Sequence, residues 1–231
     1  SKIEHLVDAL AKAHSRGAEV ILVSSGAIAT GMPLLGFATK PEDLSTSQAL
    51  AAVGQSRLIS RYQVSLERFG IVAAQVLLTS GDLEAQETRE NAKRAMDRLV
   101  SLGVLPIVNE NDTVATQEIR FGDNDRLAAL VAVLVEADAL LLLSDIDSLY
   151  DMPPIKPGAK RIERVAFGEN LDAIEVGGSS TSVGTGGAVT KVQAARVATE
   201  AGVPVLLTST DLVASALDGA QVGTWFAAKE N

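Results

Sequence analysis

Three times the chain runs a helix-spaced segment into one glycine and then into a short apolar run: Gly17 before "EVILV", Gly70 before "IVAAQVLLT" and Gly103 before "VLPIV". Glycine closes a helix because the left-handed conformation of the terminal residue costs it nothing. A short apolar run bounded by such a stop is the pattern of a strand buried on both faces. Helices are expected over 2–16, 46–69, 86–102 and 125–136, and again in "AVTKVQAARVATEAG". Strands are expected in "EVILVSSG", "IVAAQVLLT" and "VLPIVNEND", over 139–143, and in "VPVLLTS". Helices alternating with strands through short links predict an α/β fold, a three-layer αβα sandwich with a mainly parallel central sheet. No internal repeat and no shift of composition divides it, so one domain over 1–231 is expected. Residues 113–125 read as a small β-excursion and 151–160 as a Pro-rich loop.

The chemistry available is narrow. There is no cysteine, which removes disulfides, thiolate nucleophiles and Cys-bound zinc. The two histidines, His5 and His14, fall in the first helix and read as surface positions, so no protein-held metal site is expected. A net charge of −9 disfavours binding to nucleic acid, although a local basic site for a small anion stays open. The longest apolar region, "LAALVAVLVEADALLLLS", is interrupted by Glu136 and Asp138. It is too short on either side to cross a bilayer and reads as a buried helix, a tight turn and a buried strand. No membrane association and a cytoplasmic location are expected, with no signal-type segment ahead of the first helix.

Ligands of open α/β sheets bind beyond the carboxyl ends of the strands. Three small or polar sequences end strands here: "SSGA" at 24–27, "NEND" at 109–112 and "SDID" at 144–147. All three are expected on one edge of the sheet. In "FGDNDRLAAL", Asp123, Asn124 and Asp125 precede an apolar helix that needs one cap. "GTGGAVTK", 184–191, offers backbone N–H groups, a helix N-terminus and Lys191 to a phosphate, with a linker as the alternative reading. Asp112, Asp123 and Asp125 near a phosphate would repel it by several kcal/mol unless cations intervene. Mg²⁺ on the phosphates, a lysine and a substrate ammonium would serve. One residue of the Asp-Asn-Asp set then caps the helix, one holds the substrate and one orients a lysine.

Taken together, "VSSGAIATG", "AAVGQSRL", "VNENDTVAT", "FGDNDRLAALVA", "LLLLSDIDSLYD" and "GTGGAVTK" resemble the glutamate 5-kinases of the amino-acid kinase superfamily over nearly the whole chain. The resemblance implies ATP-dependent phosphorylation of the L-glutamate side-chain carboxylate to γ-glutamyl phosphate, the first step of proline synthesis, with Mg²⁺ accompanying ATP. By matched motif, Ser25, Asp112 and Asn124 would contact glutamate. Ser144, Asp145 and the loop Thr185, Gly186, Gly187, Ala188, Val189, Thr190 and Lys191 would contact the nucleotide. Lys191 would steady the transferring phosphoryl group and Asp125 would organise the catalytic lysines. The resemblance further implies a homodimer or homotetramer, inhibition by proline, and contact with glutamyl-phosphate reductase. A carboxylate nucleophile, with a reference pKa of roughly 4.3, needs no general base, which suits a site without histidine or cysteine.

The chain departs from the family pattern in three places. It opens in a helix, where the family has a strand and a K-x-G-[ST] turn carrying a second lysine; the expected domain lacks that first strand. "SLYDMPPIK" has Ser148 and Pro153 where the family has Gly and Asp. No C-terminal PUA domain is expected. Two other readings are a non-catalytic amino-acid or nucleotide-binding module of the same fold, and a kinase for a different small carboxylic acid.

Overall fold

A computed structural model describes residues 1–116, 124–171 and 188–231. Its contacts cluster into two compact units, Ser1–Asn124 and Asp125–Asn231. The β-excursion expected over 113–125 falls largely on 117–123, outside the described residues, and 112–114 form a turn.

In the first unit the elements are α1 (Lys2–Ser15), β1 (Leu22–Val23), α2 (Ala27–Leu34), α3 (Leu44–Glu67), β2 (Ala73–Leu78), α4 (Ser80–Glu84), α5 (Gln86–Ser101) and β3 (Leu105–Glu110). The strand order is β1-β3-β2, with both pairings parallel. Leu78 stands opposite Glu110, so β2 and β3 end together, and β1 ends two residues earlier, with Val23 opposite Val108. All six residues of β3 are buried, as a central strand covered on both faces requires. Leu105 and Val108 are wholly inaccessible, each contributing about 2 kcal/mol by burial. Gly17, Gly70 and Gly103 adopt φ of +92°, +68° and +76°, so the helix stops read from the sequence hold.

Several boundaries differ from expectation, and two are informative. The strand in "EVILVSSG" shrinks to Leu22–Val23. Helix α3 begins at Leu44, earlier than 46, because Asp43 caps it by accepting the Thr46 N–H at 2.8 Å. Helix α2 was not foreseen. It packs on α3 through two glycines: a Cβ on Gly54 would lie 1.7 Å from the Ala27 carbonyl oxygen, and one on Gly31 2.1 Å from that of Leu50. The start of α2 is thereby fixed against the α3 turn that carries Gln55.

In the second unit the elements are α6 (Asp125–Leu134), β4 (Leu140–Ser144), β5 (Arg164–Val165), α7 (Ala188–Glu200), β6 (Val205–Ser209), a 3₁₀ turn (Thr210–Leu212), α8 (Val213–Leu217) and β7 (Thr224–Phe226). The strand order is β4-β6-β7-β5. β4–β6 and β5–β7 pair in parallel, and β6–β7 is antiparallel. The apolar stretch resolves as read, into helix α6, a turn with Glu136 at φ +54°, and strand β4. Helix α6 packs on α7 and on β4, and α7 packs on β6. The α/β reading with mainly parallel sheets holds. The expectation that the three strand-end sequences share one sheet edge is corrected: 24–27 and 109–112 follow neighbouring strands of the first sheet, and 144–147 follows a strand of the second. Among the described residues no helix is long and apolar enough to cross a membrane.

Candidate functional site

The first unit gathers side-chain amides where β1 and β3 end. Asn124 Nδ2 donates to the Ser24 carbonyl and, at 2.9 Å, to Asn109 Oδ1. Asn109 Oδ1 also accepts the Glu110 N–H at 2.8 Å. Asn109 Nδ2 and Gln75 Nε2 both donate to Gln55 Oε1, at 3.4 Å each. Gln55 Nε2 donates to the Glu110 carbonyl at 3.2 Å. The buried Ser24 hydroxyl reaches the Tyr62 hydroxyl at 3.4 Å. Ser24, Gln55, Tyr62, Gln75 and Asn109 line a small cavity between α3 and the sheet, together with Leu58, Ile59 and Ile107. Ser25 is exposed just beyond, and its carbonyl accepts from the Ser24 hydroxyl at 3.4 Å.

Two carboxyls follow on β3. Glu110 is 3% exposed, and its Oε1 has no hydrogen-bond partner among the described residues. Burial, reinforced by the negative charges of Asp112 and Asp82, pushes its carboxyl up to about 7. Asp82 is held in this vicinity by a capping box at the start of α4: it accepts the Thr79 N–H at 2.8 Å and donates its own N–H to Thr79 Oγ1 at 3.2 Å. Asp112 is half-buried, and burial pushes it up to about 6 against the opposing charge of Lys40. Its turn is pinned to α3 by Gln48 Nε2, which donates to the Ala115 carbonyl at 3.3 Å.

In the second unit, packing of α6 on α7 brings Asp125 to Lys191. Lys191 Nζ lies 2.9 Å from Asp125 Oδ2, with the two side chains 12% and 15% exposed. Thr190 Oγ1 donates to the same oxygen at 3.3 Å. Ala188 is the first residue of α7, and Val189 in its first turn is exposed. Thr185, Gly186 and Gly187 lie outside the described residues, as do Gly122 and Asp123. Ser144 ends β4; its hydroxyl donates to Asp145 Oδ1 at 3.0 Å and accepts the Ile146 N–H at 3.3 Å. Asp145 is exposed. Asp147 accepts the Tyr150 hydroxyl at 3.0 Å, and Leu149 N–H donates to Thr224 Oγ1 at 2.9 Å, tying this turn to β7. Ser148 is buried in that turn. Among the described residues no three His, Cys, Asp or Glu side chains gather as metal ligands.

Sequence reasoning singled out Asp112 and Asn124 but passed over Glu110, Asn109 and Gln55. All three lie inside segments it quoted, "NEND" and "AAVGQSRL". The available signal was density: two amides and two carboxyls in four consecutive residues exceed what a turn needs.

Comparison with known proteins gives a consistent set of likenesses. The model of the amino acid kinase family matches residues 1–209. A glutamate 5-kinase of Clavibacter sepedonicus is 70% identical over 226 residues, covering 98% of this chain and 87% of that protein. One of Leifsonia xyli subsp. xyli is 64% identical, covering 98% of this chain and 84% of that protein. One of Streptomyces avermitilis is 54% identical over 97% of this chain, which spans 60% of that protein. Among solved structures, a carbamate kinase from Giardia lamblia bound to AMP-PNP superposes with a TM-score of 0.68 at 19% identity, covering 98% of this chain and 89% of that one.

Proposed function

The chain belongs to the amino acid kinase family, and we propose that it transfers the γ-phosphoryl group of ATP to the side-chain carboxylate of L-glutamate, forming γ-glutamyl phosphate and ADP in the proline pathway. The observation that carries this reading is the Lys191–Asp125 pair at the start of α7, in a chain so like the glutamate 5-kinases. A glutamate carboxylate oxygen attacks the γ-phosphorus, and the bond from that phosphorus to the oxygen bridging it to the β-phosphate breaks. The nucleophile is already ionised at neutral pH, so the site needs no base. Catalysis is then positioning and stabilisation of the phosphoryl oxygens.

Each group has a role in this reading. Asp112, Asn124 and Ser25 of the first unit hold glutamate, with Asp112 as the carboxylate for its ammonium. In the second unit the start of α7 directs backbone N–H groups toward phosphate. Lys191 is the cation for the transferring group, and Asp125 fixes its ammonium. Ser144 and Asp145 contact the nucleotide. Mg²⁺ would accompany ATP and neutralise phosphate charge; among the described residues no three carboxylates gather to hold it. A homo-oligomer, inhibition by proline, contact with glutamyl-phosphate reductase and a cytoplasmic location belong to the same reading. The test is ADP release with a panel of acids: L-glutamate, D-glutamate, L-aspartate and glutarate. L-Glutamate should exceed the others in kcat/KM by at least tenfold. Equal rates across the panel, or no release with any acid, would refute the assignment.

A further inference from the structure

The amide network has an orientation that follows from its ends. An amide side chain has a donor end and an acceptor end, and its neighbours decide which way it faces. The Glu110 carbonyl only accepts, so Gln55 turns its nitrogen there and presents Oε1 to Asn109. The Glu110 N–H only donates, so Asn109 turns Oδ1 toward it and toward Asn124. The Ser24 carbonyl again only accepts, so both N–H groups of Asn124 are engaged, one on Ser24 and one on Asn109. Among the described residues no donor is seen on Asn124 Oδ1, which makes that oxygen the atom for a ligand.

We propose that Gln55 is a positioning residue for the amino-acid substrate: through Asn109 it fixes the Asn124 amide so that Asn124 presents an acceptor oxygen to the substrate ammonium. The proposal rests on the reading that glutamate binds at Asn124. Gln55 acts at one remove, held where α3 is pressed onto α2 by the Gly54 contact with Ala27. Without Gln55, Asn109 loses the acceptor for its nitrogen and keeps only the Glu110 N–H to orient it. An Asn109 held less firmly loosens one of the two bonds that orient Asn124, which then relies on the Ser24 carbonyl. An amide in mixed orientations offers the ammonium an N–H part of the time, which repels it.

Gln55→Met tests this, because methionine fills a similar volume without polar ends. The glutamate KM should rise about tenfold, with the ATP KM and the thermal midpoint little changed and kcat retained at saturating glutamate. The preference for glutamate over glutarate, which lacks the ammonium, should narrow in kcat/KM by a similar factor. Gln75→Leu removes a bond to the same Gln55 oxygen without touching Asn109, and should leave the glutamate KM within about twofold. If Gln55→Met does not fold, Gln55→Leu is read the same way, since it too removes the acceptor for the Asn109 nitrogen. An unchanged glutamate KM, an equal rise in both KM values, or an equal effect of Gln75→Leu would overturn the relay. A wild-type protein without glutamate-dependent ADP release would instead overturn the proposed function on which the relay rests.

Discussion

Lys191 Nζ sits 2.9 Å from Asp125 Oδ2, joining the first turn of α7 to the first residue of α6, and both side chains are largely withdrawn from water. An ion pair so shielded is screened little by salt and holds its lysine in one place. A lysine fixed in this way suits a charge that forms only in the transition state, because nothing has to reorganise when it does.

Lys191→Ala should therefore lower kcat by roughly 10²-fold or more, the scale of removing one electrostatic stabiliser. The ATP KM should change less. Steady-state kinetics at saturating ATP and glutamate checks this, and near-normal turnover would remove Lys191 from the chemistry.

Asp125→Asn keeps the shape but loses the charge that holds Lys191. It should lower kcat in the same direction as Lys191→Ala. The double variant should be scarcely worse than the worse single one, because the two residues act as a unit. Full additivity in kcat would show that they act separately.

The pH dependence of glutamate use should follow Asp112. Its carboxyl ionises at about 6, and only the ionised form attracts an ammonium. The kcat/KM for glutamate should fall as pH drops through about 6, while the ATP KM stays flat. In Asp112→Asn the glutamate KM should rise strongly and this limb should vanish. A limb that survives the substitution belongs to another group.

Glu110 affects stability rather than chemistry. Its folded value of about 7 lies above its ordinary 4.5, so the folded chain holds the proton longer than the unfolded one. The stabilisation is complete below about 4.5 and is lost as pH rises through about 7. Glu110→Gln cannot ionise, so it should melt several degrees above wild type at pH 8, with the gap closing toward pH 5. Thermal unfolding at both values checks it, and a gap of constant size would mean that Glu110 finds a partner when charged.

Much of the frame was legible because burial leaves a mark on sequence. Six buried residues of β3 and the glycine stops at 17, 70 and 103 follow from local rules. The elements that escaped lack such marks. Helix α2 contains Gly31 and Pro33, which read as breakers, yet packing against α3 requires a glycine there. Strands β5 and β7 have two and three residues, too few to show alternation, and β7 depends on pairing with β6 and β5. Among the candidate residues of the two units, Asn124, Asp125 and Lys191 stood out through their motifs. Gln55 could not, because a glutamine on a helix face gains its meaning only from the strand end it meets.

The most direct measurement is to trap the product. An acyl phosphate reacts with hydroxylamine to give a hydroxamate, while the phosphate esters of hydroxyl acceptors do not. Incubation with ATP, Mg²⁺, L-glutamate and hydroxylamine should yield γ-glutamyl hydroxamate in step with ADP, and Lys191→Ala should slow both to the same extent. ADP formed without hydroxamate, or hydroxamate formed equally well from glutarate, would contradict a glutamate carboxylate as the phosphoryl acceptor.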